Sequence, residues 1–272
     1  MKKLLVPTDF SPAAREAEHM ALELAKAAGA ELHYVHIVHT PIEWVGLPLE
    51  KENLYPETKA RIGQARDALN KLTAQAEALG LTARAHMVYN RGREEIVALI
   101  HRCEIDMVIM GSHGAEGIKE MIGSNAQMLV RYSPVPVLVV KGQARPIKRI
   151  VFASNFVSLP LDSARVVNTL ADVTGAKVNL LFVNTPYDFR ETAETKRDMQ
   201  EFIQASGLKG AEMHIYNALN AERGLMAFAR EQDADLVVLA SLARTGLLRL
   251  ITASLRESVV NHIDLPVLSI SA

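Results

Sequence analysis

Residues 105–114 read "IDMVIMGSHG" and residues 234–243 read "ADLVVLASLA". Each is an acidic position, an apolar run without alternation, and a turn. A strand that is apolar on both faces belongs in a parallel sheet covered by helices on both sides. Meeting the pattern twice raises the question of whether the chain is one large domain or a duplicated smaller one.

The surrounding sequence answers for duplication. "KKLLVPTDF" (2–10) matches "KRIVFASNF" (148–156), and "AAGAELHYVHIVHTP" (27–41) matches "VTGAKVNLLFVNTP" (173–186). "SPVPVLVVK" (133–141) matches "IDLPVLSIS" (263–271). The matches keep their order, the stretch 173–186 being one residue shorter than 27–41, with the other length differences between them. The expected domains are 1–143 and 148–272, each of ordinary domain size. The joint "KGQARPIK" (141–148) is polar and carries Gly142 and Pro146.

Within the first copy, strand and helix signals alternate. "LLVPT" reads as a buried strand, and residues 11–29 as a helix with Ser11 as N-cap, Pro12 in the first turn and Gly29 as the stop. Then follow the strand "ELHYVHIV", a long helix within 57–79, the strand "TARAHMVY" and a helix near 93–103. The strand "DMVIMG", a helix near 124–132 and the strand "VPVLVV" complete the copy. Five parallel strands with right-handed crossovers make a doubly wound α/β sandwich, here in tandem. "VPVLVV" would be a bare, uncharged edge strand, an aggregation hazard unless the two last strands pair with each other.

Composition narrows the function classes. The chain has 272 residues, 49% of them hydrophobic, so a large core is expected. A net charge of −1 supplies no field for nucleic acid or an anionic membrane. The single cysteine, Cys103, cannot form an internal disulfide, which fits a reducing cytoplasm. The apolar start stops at Pro7 and Asp9, short of a signal peptide, and no run reaches membrane-helix length.

In open parallel sheets, ligands bind beyond the carboxyl ends of the strands, where strand order reverses. Three segments converge there: Pro7, Thr8 and Asp9; the stretch His36 to His39; and "MGSHGAEGIKEMIGSN", residues 110–125. Gly111 and Gly114, with Met110 and His113 beside them, are read as a sharp turn using glycine's freedom at positive φ. Gly123, Ser124 and Asn125 open a helix whose free amides and dipole favour an anion. The bland alternative is a strand-to-helix turn and nothing more. Asp9 either accepts from a ribose or adenine group or helps Ser11 cap the helix. His36 and His39 form a metal pair only with a third ligand that the spacing does not supply, so packing is favoured. Cys103 reads as a helix-end packing residue. No Ser-His-Asp, P-loop or paired-carboxylate pattern is visible.

"VPTDFSP", "GSHGAEGIKEMIGSN" and "SPVPVLVVK" together resemble the universal stress proteins, in tandem form, across essentially the whole chain. The resemblance implies the adenine nucleotide alpha hydrolase-like sandwich and binding of ATP or AMP, with Mg2+ as an accompanying ion. It implies contacts from Asp9 to the adenosine, from Ile37 to adenine, and from Gly111, Gly114, Gly123 and Ser124 to ribose and phosphates. It also implies dimerisation through last strands and a role in stress survival without a defined reaction. ATP hydrolysis or phosphorylation of Ser124 would be slow and secondary.

Two departures stand out. Eight residues separate Gly114 from Gly123, where the family's ATP-binding pattern has nine; one residue is worth up to ~3.5 Å of reach. In the second copy Ala240, Ala243 and Ala253 replace the motif glycines, and Asn155 replaces Asp9. That copy is expected to be a structural partner in an intramolecular pseudo-dimer. The connection 41–56, with Trp44, Leu47, Leu49 and Tyr55, is longer than its counterpart and reads as a lid, an interface or local packing. The leading expectation is a regulatory nucleotide-binding protein. The alternatives are a nucleotide-free scaffold or small-ligand binder, and, with less support, an adenylyl-transfer enzyme.

Overall fold

The computed structural model describes residues 1–89, 92–112, 123–157, 159, 161–241 and 262–271. The first half runs β1 (Lys3–Pro7), α1 (Pro12–Ala28), β2 (Glu31–Val38), α2 (Leu49–Glu52), α3 (Pro56–Ala78), β3 (Ala83–Tyr89), α4 (Gly92–Cys103), β4 (Met107–Gly111), α5 (Ser124–Tyr132) and β5 (Val137–Val140). The second runs β6 (Arg149–Ala153), α6 (Leu161–Thr174), β7 (Lys177–Asn184), α7 (Thr192–Ser206), β8 (Glu212–Asn217), α8 (Ala221–Glu231), β9 (Leu236–Ser241) and β10 (Val267–Ser271). Strand and helix signals of the first copy fall on these elements. The short α2, inside the long connection, was not anticipated.

Local chemistry explains the boundaries. The Ser11 hydroxyl accepts from the Ala14 amide, Pro12 fits the first turn, and Gly29 ends α1 in the left-handed region at φ 62°. The two halves repeat such devices. Asp106 accepts the amides of Lys2 and Lys3, and Asp235 accepts those of Lys148 and Arg149 at 2.9 Å each, so each copy pins its first strand the same way. The four described non-glycine residues at positive φ form two matched pairs, Phe10 with Phe156 and Glu104 with Asp233.

The strands form one sheet of ten, in the order β3-β2-β1-β4-β5-β10-β9-β6-β7-β8. Pairing is parallel within each half and antiparallel at the centre, where Val139, Leu138 and Val137 of β5 face Val267, Leu268 and Ser269 of β10. Each last strand thus covers the edge that the other would expose. Side chains alternate between the faces. Leu4, Val6, Leu138, Leu268 and Phe152 belong to one core layer, and Leu5, Val108, Val139, Val267 and Val151 to the other. Both layers run through the joint.

The segment 141–148 is docked rather than a free linker. The Ala144 amide donates to Glu16 of α1 at 2.8 Å, the Lys141 ammonium donates to the Ile263 carbonyl at 2.8 Å, and Ile147 is buried. The connection between β2 and α3 also packs on its own half. Trp44 is buried with Val38, Ile62 and Ala65, while Val45, Leu49 and Leu54 remain exposed. No described helix is long and apolar enough to cross a membrane.

Candidate functional site

Strand order reverses between β1 and β4, so the crevice lies where Pro7 and Gly111 end their strands. Thr8 continues the pairing of β1, its amide donating to the Val35 carbonyl at 2.9 Å. Its hydroxyl points inward. It donates to the buried Glu18 carboxylate at 2.5 Å and accepts from the Phe10 amide at 3.0 Å. Burial raises the Glu18 carboxyl above its ordinary value, and the Thr8 hydrogen bond opposes part of that rise. The Thr8 side chain therefore serves the floor of the crevice, and the Thr8 amide and carbonyl are both engaged, by Val35 and His36.

Asp9 is exposed, and its Oδ1 accepts from the Ser11 amide at 3.0 Å. Asp9 thus holds the turn into α1 while Ser11 caps the helix. Phe10 reaches its positive φ of 63° under support from His36, whose ring stacks on it with centroids 4.6 Å apart. His36 Nδ1 lies 2.7 Å from the Thr8 carbonyl. A carbonyl only accepts, so Nδ1 carries the proton. His36 is thereby committed to packing the turn. His39 is exposed beside an open cleft of about 660 Å³, also lined by Tyr55, Glu57 and Arg61. Ile37 is half-buried against the α4-side core.

At the end of β4 the structure changes the reading of two residues. Met110 is buried, its side chain in the core rather than in the crevice. Gly111 is the last residue of the strand and does not lie at positive φ. A Cβ there would sit 2.7 Å from the carbonyl carbon and oxygen of Ala13 and 3.0 Å from the Ala14 amide. Close approach of α1's first turn, not turn geometry, is what requires this glycine.

Gly123 matches its expected role as the opening of a helix. It is the N-cap of α5 at φ −60°, ψ 148°, and offers no side-chain acceptor to the helix amides. Its own amide donates to the Ser112 carbonyl at 2.8 Å, and the Ser112 amide donates to Val140 at 3.1 Å. The two feet of the glycine stretch are therefore tied together, and the start of α5 is fixed against β4 whatever the length between. His113 and Gly114 lie outside the described residues, as do the side chains of Ser124 and Asn125.

The equivalent crevice of the second half carries its own cation. Arg190 donates to the Asn155 carbonyl at 3.1 Å, pairs with Asp198, and lies 3.4 Å from Glu194. The Arg190 amide donates to Asn184 at 2.9 Å, and its guanidinium stands over the Phe182 ring. The Asp198 hydrogen bond is the chief cause that raises Arg190 above its ordinary value. Sequence reading missed this network; the signal was "RETAETKRD", an arginine placed i−4 and i−8 from two acids on a helix. It also missed Glu18, an acid on the alanine stripe that α1 buries. Ala243 and Ala253 are outside the described residues.

Comparison with known proteins agrees with this geometry. The model of the universal stress protein family matches twice, at residues 1–141 and 146–271. Universal stress protein MJ0531 of Methanocaldococcus jannaschii is 33% identical over 142 residues, 52% of this chain and 82% of its own length. Universal stress protein A homolog 1 of Coxiella burnetii is 27% identical over 143 residues, covering 51% of this chain and 95% of its own. A solved universal stress protein from Archaeoglobus fulgidus shares the fold over both halves. It covers 99% of this chain and 96% of its own, with a TM-score of 0.75 at 22% identity.

Proposed function

This chain belongs to the universal stress protein family, in tandem form, and we propose that its first half is a regulatory nucleotide-binding unit with the second half as its structural partner. The ligand is ATP or AMP, with Mg2+ carried on the phosphates of ATP. The units are 1–143 and 148–272. The observation that carries the reading is the start of α5. Its cap is a glycine with no side chain to accept the Ser124 and Asn125 amides, and the Ala126 amide is already turned to the Gly123 carbonyl at 3.0 Å. The helix start is tied to the end of β4, at the strand-order reversal where the exposed Asp9 follows β1.

Within that reading the residues divide by what they offer. Asp9 offers its carboxylate to the adenosine, and Ile37 a wall for the base. Ser124 and Asn125 offer amides to phosphate, joined by His113 and Gly114, while Gly123, its own amide bound to Ser112, leaves the cap without a side chain. Pro7, Met110 and Gly111 offer main chain only, and the Thr8 main chain is already engaged. The Ser112–Gly123 bond supports phosphate binding despite the eight-residue spacing. In the second half Arg190 is neutralised by Asp198 and Glu194 and bound to the Asn155 carbonyl, so the crevice's cation is committed within the protein, which favours a structural role there.

Isothermal titration with ATP and AMP tests the proposal. Binding at micromolar to submillimolar nucleotide is expected, with Asp9→Ala and Gly114→Ala each weakening it at least ~10-fold, or about 1.4 kcal/mol. No heat at millimolar nucleotide sinks the nucleotide reading and leaves the scaffold. Steady ATP turnover above ~1 s⁻¹ instead makes the protein an enzyme.

A further inference from the structure

Toward the amino ends of the strands, on the face covered by α4, the first half places two imidazoles and the only thiol together. His33 (β2), His86 (β3) and Cys103 (end of α4) have ligand atoms within 4.8 Å of one another. His33 Nδ1 lies 3.0 Å from His86 Nε2, with the rings parallel to 2°. His33 is 3% exposed, and its other nitrogen, Nε2, is buried without a hydrogen bond, 3.4 Å from a Glu31 carboxylate oxygen. Cys103 is partly exposed, which leaves a path from solvent.

We propose that His33 Nδ1, His86 Nε2 and Cys103 Sγ form a binding site for a borderline-soft divalent ion, Zn2+ by preference. Two imidazoles and a thiolate are a ligand set that zinc accepts, with a fourth position open to water. Tetrahedral bonds of about 2.05 Å to nitrogen and 2.3 Å to sulfur need N···N near 3.3 Å and N···S near 3.6 Å. The two rings face each other nearly head-on, so besides separating by a few tenths of an ångström each turns by roughly 35° to aim its lone pair at a shared ion, and the thiol closes by up to about 1 Å. On binding, the Cys103 thiol releases its proton to solvent, and the proton shared between the facing nitrogens leaves by tautomer exchange, so that His86 carries its own proton on Nδ1 and His33 carries its proton on Nε2 facing Glu31. That is the carboxylate–histidine arrangement that fixes a metal-bound ring. Two of the nearby cations are tied elsewhere: Arg84 to Glu31, and Lys3 to the Cys103 carbonyl and Glu104.

The second half shows what the corner looks like without ligands. The positions aligned with His33, His86 and Cys103 are Asn179, His214 and Gln232. Asn179 and His214 meet in an ordinary hydrogen bond at 3.0 Å. A hydrogen-bonded pair is enough for packing, so the three metal-competent groups of the first half exceed what the fold needs.

Chelator-treated full-length protein should be titrated with Zn2+ by calorimetry and with Co2+ by absorbance. The expected results are one ion per chain and a near-ultraviolet sulfur-to-cobalt charge-transfer band. Cys103→Ser should abolish that band, and Cys103→Ser and His86→Asn should each weaken Zn2+ at least ~100-fold. Both variants should retain the apo circular dichroism and their nucleotide titration, which separates this site from the crevice. Less than half an equivalent bound at micromolar free Zn2+, no sulfur band in the wild type, or equal binding by wild type and both variants overturns the proposal. The wild-type cobalt spectrum decides even if a variant fails to fold.

Discussion

The two halves share a frame and differ at its working corners. Asp106 and Asp235 anchor the first strand in each, and Phe10 and Phe156 turn at similar positive φ, 63° and 57°. These are requirements of the backbone, so both copies keep them. At other aligned positions the chemistry diverges. Thr8 and Glu18 become Ser154 and Ala164, Gly111 becomes Ala240, and the His33–His86–Cys103 corner becomes Asn179–His214–Gln232. The second half also gains Arg190 over its crevice. What the fold needs is repeated, and what appears once points to function or to local compensation for its loss.

The largest effect concerns whether the halves are one folding unit. Leu268 is fully buried opposite Leu138 at the joint, with core layers on both faces. Leu268→Lys removes a buried aliphatic side chain and buries an unpaired charge, and should cost more than about 4 kcal/mol. The single tryptophan, Trp44, reports only the first half. If the sheet is one unit, urea unfolding by Trp44 fluorescence and by circular dichroism should shift together. A Trp44 transition that stays in place while the dichroism shifts would show two independent units.

Next comes the glycine exchanged for alanine. α1 opens at Pro12, whereas Leu159 is still outside helix and α6 opens at Leu161, about a turn later in the aligned frame. The missing turn is where a Cβ at 111 would collide with Ala13. Gly111→Ala should therefore destabilise by about 2–3 kcal/mol through overpacking against backbone. Ala240→Gly should cost about 1 kcal/mol or less. Denaturation midpoints read both. Equal effects in the two halves would mean that packing against α1 does not select the glycine.

These contrasts also show what the sequence could reveal. Strand and helix order was legible because parallel strands are uniformly apolar and α1 carries its own cap, first-turn proline and stop. Duplication was legible from ordered matches, and pairing of the last strands followed from the hazard of a bare edge. The role of Gly111 was not, because a glycine required by a neighbouring helix looks the same in sequence as one required by a turn. The dual duty of Asp9 was left open and remains mixed: it holds Ser11 and stays exposed. The His33–His86–Cys103 corner was hidden because its members are 53 and 17 residues apart in sequence, and only strand register brings them together. The Arg190 network needed a helix to fold back over two strand ends.

A smaller effect tests the filled crevice. Arg190 holds Asn155, Asp198 and Glu194, and its side chain is 14% exposed. Arg190→Ala should cost about 1–2 kcal/mol, the worth of charge-assisted bonds near a surface. Chaotrope titration in low and high salt should show the loss shrinking with salt. If Arg190 instead blocks a usable site, the variant gains nucleotide binding in the second half, seen as a second equivalent in the titration. That outcome would overturn its assignment as a structural partner.

The smallest effect separates Glu18 from its counterpart Ala164. Burial raises the folded carboxyl above its ordinary value of 4.5. The folded state therefore prefers the protonated form. Its favourable contribution is complete below the unfolded value and is lost as pH rises through the higher folded one. Glu18→Gln keeps an acceptor for the Thr8 hydroxyl and cannot ionise. The variant and the wild type should have similar stability near pH 4, and the variant should become the more stable as pH rises toward 7. Thermal midpoints across that range read the difference. If the wild type is instead the more stable at pH 7, ionised Glu18 is the form the fold prefers, and attraction to Arg15 and His19 outweighs burial beneath the crevice.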